Sequence, residues 1–82
     1  MTKDETKKAV EAALPKGWRF EYLDMKTKWL KVTCPVEDRF GVAVETFLGN
    51  VERIAKAANA SYDGGGSMVG GDRYDCFFFF NR

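Results

Sequence analysis

Apolar residues recur along this chain in two rhythms, and the change from one to the other marks its elements. Thr6, Ala9, Val10, Ala13 and Leu14 fall three and four residues apart, the spacing of one helix face. Ahead of them Thr2 and Glu5 form a T-x-x-E capping box, each side chain positioned to satisfy a backbone N–H of the first turn. Pro15 and Gly17 end that helix. From Trp18 to Tyr22 the rhythm changes to strict alternation, the period of a half-buried strand. Asp24-Met25-Lys26-Thr27 reads as a turn, and Lys28 to Cys34 alternates again, so a β-hairpin is expected, closed by Pro35.

The helical rhythm returns between Val36 and Ala60, where Phe40, Val44, Phe47, Val51, Ile54 and Ala58 step by four, three, four, three and four. A helix is expected there, with Gly49-Asn50 as a candidate break, since glycine costs about 1 kcal/mol relative to alanine inside a helix. A short strand over Phe40–Val44 is the alternative. Ser61 to Asp72, dominated by Gly64-Gly65-Gly66 and Gly70-Gly71, reads as a loop. Tyr74 to Phe80, with four consecutive phenylalanines, reads as a strong strand.

The expected fold class is therefore α+β, in the order α-β-β-α-β. A helical crossover after the hairpin would return the last strand parallel to the second. The arrangement this suggests is a three-stranded sheet of order 2-1-3 with both helices packed on one face. Alternation assigns Trp18, Phe20, Tyr22, Leu30, Val32, Cys34, Tyr74, Cys76, Phe78 and Phe80 to the covered face. Arg19, Glu21, Trp29, Lys31, Thr33, Asp75, Phe77 and Phe79 fall on the other. Burying a large apolar side chain is worth roughly 1.5–3 kcal/mol, so three rings left near solvent call for an occupant. Trp29, Phe77 and Phe79, with Lys31 and Arg19 beside them, are the candidate partner-binding residues.

Composition bounds the rest. With 82 residues, the chain is expected to form one domain over 1–82 with a thin core. Hydrophobic residues at 45% and seven phenylalanines provide the bulk to fill it. No apolar run reaches the length of a membrane span, and the start of the chain lacks the apolar stretch of a signal peptide. The formal net charge is +1, which gives no basic footprint for a polyanion, although residues 1–31 are mildly basic and the remainder mildly acidic. Cys34 and Cys76 are expected to be reduced core residues of a cytoplasmic protein, a disulfide between them being the alternative.

Catalytic chemistry finds little support. The chain has no histidine, which removes the usual general base, the Ser-His and Cys-His dyads and the commonest metal ligand. Two separate cysteines do not make a closed zinc site. The glycine-rich stretch follows a helix and precedes a strand, the reverse of a phosphate-binding loop. Asp63, Asp72 and Asp75 match no calcium loop. No cofactor or metal is expected, and the chain reads as a binding module and not an enzyme.

Leu14-Pro15-Lys16-Gly17-Trp18-Arg19-Phe20, with Tyr62-Asp63 and Asp72-Arg73-Tyr74-Asp75-Cys76-Phe77-Phe78, resembles a small phage- and plasmid-borne domain found fused inside large polyvalent proteins of mobile elements. The resemblance spans most of the chain in element order and carries over no catalytic residue. It implies a mobile-element product acting in the cytoplasm of a bacterial host, where small proteins of this kind occupy surfaces on host complexes.

Three readings of the ring-bearing face follow. The first is a protein-binding module, directed through the resemblance to a host defence complex such as a CRISPR effector or a restriction enzyme. The second is a nucleic-acid accessory protein stacking bases on Trp29, Phe77 and Phe79 with Lys31 and Arg19 alongside; near-neutral charge and Asp75 count against it. The third is a homodimer that uses the face as its own interface.

Overall fold

The computed structural model describes residues 2–69 and 71–80, without the side chains of 66–69. The elements are α1 (Lys3–Ala13), β1 (Arg19–Asp24), β2 (Trp29–Pro35), α2 (Val36–Phe40), α3 (Val44–Ala58), β3 (Ala60–Val69) and β4 (Arg73–Phe80). The class is α+β, with helices on one side of an antiparallel sheet.

Local chemistry sets the element ends. Thr2 Oγ1 accepts from the Glu5 N–H at 3.1 Å, and Glu5 Oε1 accepts from the Thr2 N–H at 2.8 Å, completing the capping box of α1. Between β1 and β2, Asp24 Oδ1 accepts from the backbone N–H of Lys26, and Lys28 takes a positive φ of 66° to close the turn. Asn59 ends α3 in the left-handed conformation, which its short polar side chain tolerates better than most.

The sheet has four strands, in the order β1-β2-β4-β3. This corrects the expectation of three strands ordered 2-1-3. The glycine-rich segment is the source of the difference: expected as a loop over 61–72, it forms β3 and pairs with β4 as a hairpin from Ala60↔Phe80 to Val69↔Arg73. Gly70 lies outside the described residues. The chain crosses over from β2 to β3, and β4 then folds back into the gap between them. The last strand therefore runs antiparallel to β2, not parallel to it.

The helical stretch also differs in detail. It breaks at Gly41-Val42-Ala43 and not at Gly49-Asn50, which lies inside α3. A side chain at Gly41 would crowd the Glu37 carbonyl, at 2.8 Å from the new Cβ. Phe40 and Val44, the first two residues of the apolar stripe, flank this break and stand exposed, while Phe47, Val51, Ile54 and Ala58 are buried.

Val10 of α1 and the inner face of α3 share one core with Leu30, Val32 and Cys34 of β2 and Tyr74, Cys76, Phe78 and Phe80 of β4. Cys34 and Cys76 are both buried free thiols. Trp18 joins this core, its indole N–H donating to Asp38 Oδ2 of α2 at 2.8 Å. No helix among the described residues is long and apolar enough to cross a membrane.

One irregularity reshapes the opposite face. The register of β1 against β2 passes from Phe20↔Val32 to Tyr22↔Lys31, so Glu21 is an extra residue, the signature of a β-bulge. After the bulge the alternation is inverted. Tyr22, expected in the core, turns outward, and Leu23 takes the inward position opposite Leu30.

Candidate functional site

The sheet side away from the helices carries Trp29 and Lys31 from β2, and Phe77 and Phe79 from β4. None of the three rings belongs to the core cluster. Register explains their grouping, because Trp29 stands opposite Phe79 and Lys31 opposite Phe77. The Trp29 ring lies 5.2 Å from Phe79 and 6.3 Å from Phe77, the latter nearly perpendicular at 87°. Such edge-to-face contacts add about 0.5–1.5 kcal/mol to simple burial. They leave Trp29 and Phe77 half-buried against each other and Phe79 40% exposed.

Tyr22 was not expected on this surface. Brought round by the Glu21 bulge, it is 44% exposed and extends the aromatic surface onto β1. No simple alternation pattern could have located it. The available signal was Leu23, a large aliphatic residue that strict alternation would have left in solvent.

Charge borders the rings. Lys31 Nζ lies 3.6 Å from Asp75 Oδ2 and 5.9 Å from the centre of the Phe77 ring. Asp75 is buried on this face, and its Oδ1 has no hydrogen-bond partner among the described residues. Further along, the Thr33 hydroxyl donates to Glu21 Oε2 at 2.9 Å and accepts from Arg73 Nε at 3.2 Å. Arg73 Nη2 also donates to the carbonyls of Gly17 and Thr33, at 2.9 and 3.0 Å. That guanidinium fastens the turn before β1 to β4.

Arg19, expected beside the rings, is instead at this polar end. It lines an open groove of about 520 Å³ with Glu21, Lys31, Thr33, Glu37, Asp72 and Arg73 among its walls. The mixture of three cations and three carboxylates gives the groove no single sign of charge. Within it the Thr33 hydroxyl is held between the Glu21 carboxylate and the Arg73 guanidinium.

Elsewhere, buried ionisable groups are built into the core. The Cys76 thiol is pushed up by its hydrogen bond with Cys34 and by burial, and the Cys34 thiol is lowered as its partner in that bond. Burial pushes the Tyr62 hydroxyl up. Arg39 stacks over Phe40, Phe47 and Tyr74 at 4.8–5.3 Å. A second apolar stretch, Phe40, Val42, Val44 and Leu48, is exposed around the link between α2 and α3.

No family model, no curated protein and no solved structure matches this chain.

Proposed function

We propose that this chain is a non-catalytic protein-binding module that meets its partner with the open face of its sheet. One observation carries the reading: Trp29 packs its ring against Phe77 and Phe79 on the side away from the helices, and Tyr22 lines one cavity with Trp29 and Phe77, with Tyr22 and Phe79 each at least 40% exposed. Interfaces concentrate binding energy in central aromatic side chains surrounded by a polar rim. The Lys31–Asp75 pair and the Arg73–Thr33–Glu21 chain of hydrogen bonds supply such a rim. The likeness to mobile-element domains directs the choice of partner to a protein complex of a bacterial host's defences, a CRISPR effector or a restriction enzyme, met in the host cytoplasm.

The test compares the protein with a Trp29→Ala/Phe79→Ser variant and a Phe40→Ser variant in capture from host lysate at moderate salt. A stoichiometric protein partner retained by the parent and the Phe40 variant, and lost by the Trp29/Phe79 variant, is the expected result. Equal retention by all three, or loss only through Phe40, overturns the reading. Sedimentation as a dimer that the Trp29/Phe79 variant dissociates would assign the face to a second copy of the chain. Salt-sensitive quenching of Trp29 fluorescence by an oligonucleotide would assign it to nucleic acid.

A further inference from the structure

Within the open face, Tyr22, Trp29, Phe77, Asp63, Gly64 and Gly65 line a cavity of about 310 Å³. Three backbone features create it. Gly64 stands opposite Phe77 and has no side chain to cover that ring; a Cβ built there would meet nothing within 4 Å, and its φ of +107° disfavours any other residue. The Glu21 bulge turns Tyr22 outward to form a further wall. A second register shift, between Tyr62 and Gly64, leaves Asp63 unpaired in the ladder and exposed on β3.

The lining has a definite chemistry. The perpendicular rings of Trp29 and Phe77 make a corner, Tyr22 adds a third aromatic surface, and Asp63 contributes a carboxylate. Ring faces carry negative charge and attract cations, most effectively those that shed water easily. Lys31 already illustrates this attraction at the Phe77 ring, 5.9 Å from its centre. Its own charge is answered by Asp75, and it does not line the cavity, so Asp63 is the carboxylate left facing an incoming ligand. A guanidinium fits these walls best, because it is planar, weakly hydrated, stacks on rings and pairs with a carboxylate through two N–H groups.

We propose that this cavity receives the guanidinium of an arginine side chain presented by the protein partner. The proposal rests on the protein-binding reading for its source of arginine, but the cavity can be tested on the isolated protein. The probe is N-acetyl-arginine methylamide, with the neutral isostere N-acetyl-citrulline methylamide as control, titrated while indole N–H resonances are followed by NMR. The expected result is a saturable shift of the Trp29 signal in the millimolar range, with the core-facing Trp18 signal unmoved. Citrulline should bind at least about five-fold more weakly, as loss of a cation from an aromatic site implies. Asp63→Asn and Tyr22→Leu, with spectra otherwise unchanged, should each weaken the arginine probe about three-fold or more.

Citrulline binding as well as arginine, an unchanged affinity in Asp63→Asn, or no Trp29 shift at saturating probe overturns the proposal. Failure here with partner capture still dependent on Trp29 and Phe79 leaves the interface reading intact. Probe binding with capture independent of those residues removes that reading and leaves the cavity.

Discussion

Lys31 and Asp75 face each other diagonally across β2 and β4, with Nζ and Oδ2 3.6 Å apart and only 23% and 9% of their side chains exposed. Asp75 Oδ1 has no hydrogen-bond partner among the described residues, so Lys31, beside Oδ2, is the main compensation for a nearly buried charge. Removing one member of a buried pair costs more than replacing both by apolar groups. Lys31→Met should destabilise the fold by about 1–3 kcal/mol, a value reduced by the partial exposure of the lysine. Lys31→Met/Asp75→Leu should recover most of that loss. Urea unfolding of the two single variants and the double variant gives the coupling; strictly additive losses would show that the pair does not act as a unit.

The same substitution at two glycines should have opposite signs. A Cβ on Gly65 would collide with the hydroxyl and ring of Tyr74, whereas one on Gly49 would meet nothing within 4 Å. Gly65→Ala is therefore expected to cost about 1–3 kcal/mol through overpacking. Gly49→Ala, inside α3, should stabilise by about 1 kcal/mol through helix propensity. Thermal or urea denaturation measures both, and a stabilising Gly65→Ala would contradict the close packing of Tyr74 over Gly65.

Acid should weaken the fold through two exposed carboxylates tied to backbone N–H groups. The backbone N–H of Thr2 holds the Glu5 carboxyl below its ordinary value of 4.5, and those of Lys26 and then Thr27 hold Asp24 below 3.8. Both folded values are depressed, so their contribution is complete above the unfolded values and is lost as pH falls through the folded ones. The urea midpoint should decline as pH is lowered through and below these values. A Glu5→Gln/Asp24→Asn variant should show a shallower decline, and an identical acid slope would remove these two groups as its cause.

Thiol chemistry should report unfolding. Cys34 and Cys76 are fully buried, and the raised Cys76 thiol holds little of the reactive thiolate. A thiol reagent should leave both unmodified in native buffer and label both in denaturant. Rapid labelling of the native protein would show that the core opens beneath α3.

The strongest periodic elements were legible because their side chains meet a single environment. Phe47, Val51, Ile54 and Ala58 point into one core, as their spacing indicates. Trp29 and Leu30, on a strand without bulges against β4, separate to opposite faces as alternation requires. Pattern fails where the backbone departs from regularity or where neighbours override propensity. Glu21 inserts one residue and reverses Tyr22. The glycines of β3 have poor strand propensity, yet they pair with a phenylalanine-rich β4, and Gly65 must remain small beneath Tyr74. The position and direction of β4 depend on that extra strand, because β4 lies between β2 and β3. The break at Gly41 was hidden because Phe40 and Val44 maintain helical spacing across it.

Both outer strands of the sheet depart from regular pairing: β1 at Glu21, and β3 at Asp63 and again beyond Gly65. The inner pair, β2 with β4, runs through seven matched residues without interruption. A flat, regular border invites another chain to zip onto it, and kinks there oppose that route to fibrils. The irregular margins thus discourage sideways growth of the sheet by strand addition.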